Sequence, residues 1–155
     1  MGYEETGVLS LDDLRSIPSE KQLEKGVAIA ECIQDIPCNP CVDACPVDAI
    51  SMKDINSPPI IDYDRCTACG NCVAVCPGLA IFIVKTSVDK ALITIPYEFL
   101  PIPKKNEIVD ALDREGKTVG EGKVTRVIKR GTTWMITVEV DRSLAMIVRN
   151  IRCRV

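Results

Sequence analysis

The sequence predicts an α+β fold in which a pseudo-symmetric, cysteine-rich unit is followed by a small all-β barrel or curled sheet. Two cysteine runs of related spacing, at 32–46 and 66–77, carry related apolar tails, PVDAI and PGLAI, and so form an internal repeat. Beyond residue 105, apolar runs are separated by glycine-containing turns, which is typical of antiparallel strands. We therefore divide the chain into an N-terminal arm (1–25), a cysteine-rich unit with a β-hairpin (26–97) and a small β domain (98–155).

The N-terminal arm is polar and acidic, with few apolar residues. Ser10 before LDDL can cap a helix, with acids in its first turn, and Pro18 interrupts it. Such an arm can bury little by itself, so it is either mobile or ordered against another chain. We favour the second.

The cysteine-rich unit begins with a plausible strand, VAIAECI, that leads into the first cysteine run. CVDACP is then a single helical turn closed by Pro46. Between the two runs, two strand-like pieces flank a turn at 56–59, which predicts a central hairpin.

The downstream run, Cys66 to Pro77, has the spacing Cys-x2-Cys-x2-Cys-x3-Cys-Pro. A 4Fe-4S cluster takes four soft thiolate ligands, and the short gaps let one tight loop supply three of them. The upstream run repeats the ending with Cys38, Cys41 and Cys45, and it carries a further thiol at Cys32.

The segment from about Val27 to Val84 resembles the bacterial dicluster (2x4Fe-4S) ferredoxin family on these two runs. The resemblance implies a ferredoxin-like pseudo-symmetric fold and two 4Fe-4S clusters with crossed ligand sets. One cluster takes Cys38, Cys41, a first upstream cysteine and Cys76. The other takes Cys66, Cys69, Cys72 and Cys45.

The first upstream cysteine departs from the family pattern. Asp35 stands where the family has that cysteine, and the nearest thiol is Cys32. We expect Cys32 to be the ligand, because thiolate is the softer donor and the longer loop can still reach the cluster. Asp35 as an oxygen ligand and a three-iron cluster remain alternatives.

The rest of the chain reads as strands. A β-hairpin is predicted over 80–97, a proline-rich connector follows, and a three-strand meander, one short helix (SLAMIVRN) and a last strand (IRCRV) complete the domain. We expect Cys153 to be a buried strand thiol without a metal role. The predicted core of this domain is Ile108, Val109, Val119, Val124, Val127, Met135, Ile136, Val138 and Val140.

Charge and cysteine usage restrict the function. The formal net charge is −3, with 13 acids and 6 bases in 1–85 but 9 acids and 13 bases in 86–155. The bases are scattered and few aromatic residues lie between them, which argues against a nucleic-acid partner. Paired cysteines without a recognisable secretory signal favour a reducing, cytoplasmic compartment. No apolar run approaches the roughly 20 residues of a membrane span, so direct membrane insertion is not expected.

The chain lacks a dinucleotide fingerprint, a phosphate-binding loop and any histidine, so we expect no catalytic site of its own. The leading hypothesis is an electron-transfer subunit that relays single electrons from a flavoprotein dehydrogenase to an external acceptor, as part of a hetero-oligomer. Its layout is similar to small iron–sulfur subunits such as those of proline or hydroxyproline dehydrogenase complexes, which suggests an amino-acid-type substrate. A free soluble carrier with a docking domain, and a structural or redox-sensing iron–sulfur protein, are the alternatives.

Overall fold

The computed structural model describes residues 2–154. The N-terminal arm forms helix α1 (Tyr3–Thr6), a 3-10 turn (Leu11–Asp13) and helix α2 (Glu20–Lys25). The 3-10 turn begins where the sequence predicts a helix start, with the Ser10 amide donating to the Asp13 carboxylate at 2.7 Å.

The N-terminal arm packs against the rest of its own chain. The Lys25 ammonium donates to the carbonyl of Tyr63 at 2.6 Å, and the Gln22 amide donates to the Asp64 carboxylate at 2.9 Å. Ser16 and Tyr63 share a hydroxyl hydrogen bond of 3.0 Å. The loop before Cys66 thus supplies polar partners that order residues 16–25 within the chain, and packing of the arm against another chain stays a prediction.

The cysteine-rich unit contains short elements only. It holds strands β1 (Val27–Ala30), β2 (Ile50–Ser51) and β3 (Ile60–Ile61) with helices α3 (Pro40–Ala44) and α4 (Asn71–Val75). β2 and β3 pair antiparallel, which confirms the central hairpin. Pseudo-symmetry of the whole unit stays a prediction.

One open antiparallel sheet of seven strands runs through the molecule in the order β1-β4-β5-β8-β7-β6-β9. Its remaining strands are β4 (Ile81–Thr86), β5 (Lys90–Tyr97), β6 (Ile108–Leu112), β7 (Thr118–Arg130), β8 (Thr133–Asp141) and β9 (Asn150–Cys153). They confirm the predicted hairpin, meander and last strand; Val155, the end of that last strand, lies outside the described residues.

Of the two predicted alternatives, a barrel or a curled sheet, the barrel is wrong, because the strands form one open sheet. β8 pairs with β5 along eight residue pairs, so the C-terminal strands continue the sheet that begins at β1 instead of closing on themselves. The sheet therefore crosses the boundary predicted at residue 98. The division into two domains stays a prediction.

The predicted helix over SLAMIVRN is also wrong, since only a 3-10 turn, Arg142–Leu144, forms there. Ile147 and Val148 are β-branched and poor helix formers. The Arg149 guanidinium donates to the carbonyls of Ala145 and Val148, oxygens that a longer helix would need for its own amides.

The core of the C-terminal strands lies on one face of the sheet, while Ala28, Ile83 and Met135 are buried on the other face, against the cysteine-rich unit. Val84, Ile93, Val138 and Val124 form a fully buried row across four neighbouring strands. Of the predicted core, Ile108 and Val119 are instead 43% and 38% exposed. Ile108 precedes the buried Val109, and strand alternation turns the two side chains to opposite faces.

Candidate functional site

Four cysteines from three parts of the chain surround one cavity, the upstream cavity. Cys32 lies in the loop after β1, Cys38 precedes α3, Cys41 lies on α3, and Cys76 follows α4. The rest of the lining is mostly apolar: Gln34, Ile36, Pro40, Ser57, Pro59, Pro77 and Ile81.

Four further cysteines surround a second cavity, the downstream cavity. Cys66 and Cys69 lie in the loop before α4, Cys72 lies on α4, and Cys45 follows α3. The remaining lining residues are Ala28, Val47, Ala49, Ile50, Thr67, Ala68, Gly70 and Ile83. The structure thus groups the eight cysteines into the two crossed sets that the sequence predicts, and their role as iron ligands stays a prediction.

Asp35 and Cys153 lie apart from these sets. Asp35 is exposed and is not among the described residues that line the upstream cavity. Cys153 is buried on β9, as predicted, where its thiol donates to the carbonyl of Pro101 at 3.4 Å.

The two helices present their cysteines in the same way. Cys41 and Cys72 are the second residues of α3 and α4, and both side chains are buried. Cys45 and Cys76 end the same helices in extended conformation. Each helical turn therefore sends one thiol to each cavity.

Backbone amides point at the crossing thiols. The chain turns at Asp48 and Leu79, which have φ of 52° and 53°. The next amide, of Ala49, donates to the Cys45 sulfur at 3.2 Å, and that of Ala80 donates to the Cys76 sulfur at 3.4 Å. Hydrogen bonds to the sulfur ligands adjust the reduction potential of a cluster that they hold.

Within residues 2–154, no three cysteine or carboxylate side chains converge to hold a single metal ion. The four thiols of each set instead stand around a cavity. That arrangement suits a group with several irons, each of which takes one thiolate.

Comparison with known proteins agrees with this geometry. Residues 31–80 match the 4Fe-4S dicluster domain. They belong to the 4Fe-4S ferredoxin family. The ferredoxin domain binds 4Fe-4S clusters, and its function is electron transfer.

Three relatives illustrate where such domains occur. An uncharacterized ferredoxin of Methanocaldococcus jannaschii is 36% identical over 102 residues, 50% of this chain and 66% of that protein. The polyferredoxin-like subunit of an aliphatic sulfonate oxidoreductase of Pyrococcus furiosus is 33% identical over 57 residues, 37% of this chain and 33% of that protein. One subunit of an ion-translocating oxidoreductase complex of Methanosarcina acetivorans is 46% identical over 46 residues, 30% of this chain and 17% of that protein.

The chain thus spans between 17% and 66% of the length of these relatives. No solved structure matches it. None of the helices between residues 2 and 154 has the length and apolar character that a membrane span needs.

Burial raises the pKa of three cysteine thiols in the ferredoxin domain. It raises the pKa of Cys41 to about 11 and of Cys72 to about 12, and the neighbouring thiols add to both shifts. Burial and the charges of Cys76 and Cys38 also raise the pKa of Cys32. These three thiols are therefore protonated near neutral pH when no iron is bound, and iron binding displaces their protons.

The two cavities of the ferredoxin domain are neighbours. The charge of Cys41, from the upstream cavity, contributes to the raised pKa of Cys72 in the downstream cavity. α3 and α4, which carry them, pack against each other. The two cavities therefore lie on either side of the contact between α3 and α4.

A buried ion network at the edge of the ferredoxin domain was not predicted. Glu31, directly before Cys32, accepts from Arg114 at 2.5 Å and from Arg149 at 2.5 Å. The three side chains are 5%, 13% and 4% exposed. Since the partners are 83 and 118 residues apart, no local pattern in the sequence signals the contact.

Proposed function

We propose that this chain is the electron-transfer subunit of a larger oxidoreductase, in which two 4Fe-4S clusters relay single electrons between a flavin-dependent dehydrogenase and an external acceptor. The observation that carries the proposal is the pair of adjacent four-cysteine cavities in the ferredoxin domain. Two neighbouring one-electron centres can accept the two electrons of a two-electron donor one at a time.

The ligand assignment is part of the proposal. Cys32, Cys38, Cys41 and Cys76 hold the upstream cluster, and Cys66, Cys69, Cys72 and Cys45 hold the downstream cluster. The lining of the two cavities supports these sets. It also favours Cys32 over Asp35, whose side chain is exposed.

Membership of a hetero-oligomer has independent support. Two relatives of the ferredoxin domain are named as oxidoreductase subunits. The chain also adds five strands to those of the ferredoxin-like segment 27–84, an addition that electron transfer alone does not require. We further propose that the dehydrogenase partner is a flavoprotein acting on an amino-acid-type substrate in the reducing cytoplasm, where thiolate ligands are kept intact.

The test is anaerobic purification of the native protein followed by size-exclusion chromatography. We expect one flavin-containing complex of fixed stoichiometry, with about eight irons per copy of this chain. Electron paramagnetic resonance of the reduced complex should show two interacting 4Fe-4S centres. A holoprotein that elutes alone and carries two reversible clusters would identify a free carrier instead. A cluster that degrades in air and shows no reversible potential would identify a sensor.

A further inference from the structure

We propose that the sheet face beside the downstream cavity is the docking surface for the acidic surface of a redox partner protein, and that electrons cross at Cys69. The inference rests on the proposed function, because it names the side of the subunit at which one partner binds. We call this surface the basic face and define it by Lys85, Lys123, Arg126 and Arg130.

The pairing register establishes that these side chains share one face. Ala28, Ile83, Thr94, Thr137 and Arg126 form one row across five strands. Ala28 and Ile83, at the start of the row, line the downstream cavity. Cross-strand partners point to the same side of a sheet, so the row leads from the cavity to Arg126.

A second row runs parallel to the first on the same face. It pairs Lys85 with Leu92, Leu92 with Glu139, and Glu139 with Lys123. Lys85 and Lys123 are exposed, while Leu92 and Glu139 are half-buried. The face of the sheet opposite the buried row that contains Val84 therefore carries a cation at each end of this second row.

Arg130 joins the basic face to the cluster loop. Its guanidinium donates to the side-chain oxygen of Asn71 at 2.7 Å. Gly70, the residue before Asn71, lies against Met135, since a Cβ built on Gly70 would come within 2.5 Å of the Met135 methyl group. The loop that carries Cys69 is therefore seated on this face.

Cys69 is the exposed member of the eight cysteines that line the two cavities. Electron transfer requires the partner's redox centre to come close to a cluster, and an exposed ligand is the point of closest approach. The basic face meets the loop that carries Cys69 at Arg130.

The charges of the face are available to a partner. In the part of the chain that the structure describes, none of its four cations forms an ion pair. The acids on the same face are Glu139 and Asp141 on β8, Glu121 on β7 and Asp110 on β6, and Glu98 lies next to Thr133. Asp141 forms an ion pair with Lys90, which is not one of the four cations of the basic face. At the far end of the sheet Arg154 pairs with Asp110 and Glu121, so those charges compensate one another.

The rest of the ferredoxin domain has the opposite charge. Residues 31–64 contain seven acids and one base. An acidic partner is therefore favoured at the basic face over the surface formed by residues 31–64. Complementary charge of this kind mainly accelerates association and orients the partner.

The test uses the reconstituted holoprotein and a flavodoxin, an acidic protein whose FMN accepts electrons. In each transfer one electron leaves a reduced cluster, and the FMN takes up that electron and one proton from solvent to become the semiquinone. We compare the wild type with the double variant Lys85→Glu, Arg126→Glu. The matched control is Lys53→Glu, Lys117→Glu, which changes net charge equally at exposed sites off the basic face.

We expect stopped-flow reduction of the flavodoxin to be fast at low salt, and about fivefold or more slower in the double variant, with the control close to wild type. High salt should remove the difference. Iron content and the spectra of both clusters should be unchanged, which separates this outcome from a failure of the proposed function. Equal effects of the double variant and the control would overturn the proposal.

Two other occupants of the basic face would give different experimental results. Wild-type binding to a DNA duplex at physiological salt that the double variant loses, with no change toward flavodoxin, would overturn the proposal and assign the face to nucleic acid. A dimer in sedimentation that the double variant dissociates would overturn it in favour of a second copy of this chain.

Discussion

Glu31 and Arg149 are 118 residues apart in the chain, yet their side chains form a buried ion pair with 2.5 Å between the carboxylate and Nε. Arg114 completes the network from the turn between β6 and β7. The guanidinium of Arg149 also lies over the ring of Phe82, 5.4 Å from its centroid. The C-terminal strands are thereby attached to the residue that precedes Cys32.

The first prediction concerns this network. Glu31→Gln leaves two buried guanidinium groups facing each other, so we expect it to lower the free energy of unfolding by about 3–5 kcal/mol. Arg149→Met should cost less, because Glu31 keeps Arg114 as its partner. Urea unfolding of the anaerobic holoprotein, followed by far-ultraviolet circular dichroism, measures both.

The surface pair of Lys90 and Asp141 supplies the control, since both side chains are largely exposed. Lys90→Gln should change stability by less than about 1 kcal/mol. A Glu31→Gln variant as stable as Lys90→Gln would show that the network does not hold the two parts together.

The second prediction concerns the enlarged upstream loop. Cys32→Ser should remove a ligand of the upstream cluster, so iron content should fall to about half, or a three-iron signal should appear. Asp35→Asn and Cys153→Ser should keep full iron content. Iron and sulfide analysis with electron paramagnetic resonance distinguishes these results. Full occupancy of both clusters in Cys32→Ser would refute the assignment of Cys32.

The third prediction concerns Gly70, which has φ of 84° and packs against Met135. Gly70→Ala forces a side chain into the left-handed region, at about 1–2 kcal/mol, and displaces Met135. We expect the downstream cluster to decay faster in air while the upstream cluster is unchanged. Gly78→Ala is the control, because Gly78 has open space around it and no positive φ.

Decay is followed by the separate resonance signals of the two clusters. If the downstream cluster decays at the same rate in the Gly70→Ala and Gly78→Ala variants, the packing of its loop on β8 does not protect it.

The fourth prediction concerns the pH dependence of Cys153. Burial raises the pKa of this thiol, and the hydrogen bond with the Tyr97 hydroxyl partly offsets the rise. Because only the thiolate reacts, Cys153 in the native holoprotein should be alkylated by iodoacetamide more slowly than free cysteine at about pH 8, and the rate should increase as the pH rises. Tyr97→Phe removes the hydrogen bond that lowers the pKa of the Cys153 thiol. Alkylation of Cys153 should therefore be slower still in this variant.

Mass spectrometry of the alkylated protein locates the label. In urea the reaction at Cys153 should reach the rate of free cysteine. A native rate equal to the unfolded rate at every pH would show that Cys153 is not shielded.

Local patterns predicted most of the elements. The hairpin 80–97, the meander and the last strand follow from alternation and turn residues, which depend on neighbours in the chain. These local patterns could not predict whether the sheet closes into a barrel. Whether β8 pairs with β5 or the sheet closes into a barrel depends on contacts between residues far apart in the chain, such as Thr94 and Thr137, and the sequence patterns of the two outcomes are alike.

The cysteine spacing by itself determined the candidate cluster site, because ligands three residues apart are held by one loop or one helical turn whatever surrounds them. The tertiary structure alone decided how that site joins the rest of the molecule. Glu31 meets Arg149, and the loop that carries Cys69 comes to lie beside Arg130, only after the sheet brings distant strands into register. Charges that are scattered along the sequence become one surface because strands alternate their side chains between two faces.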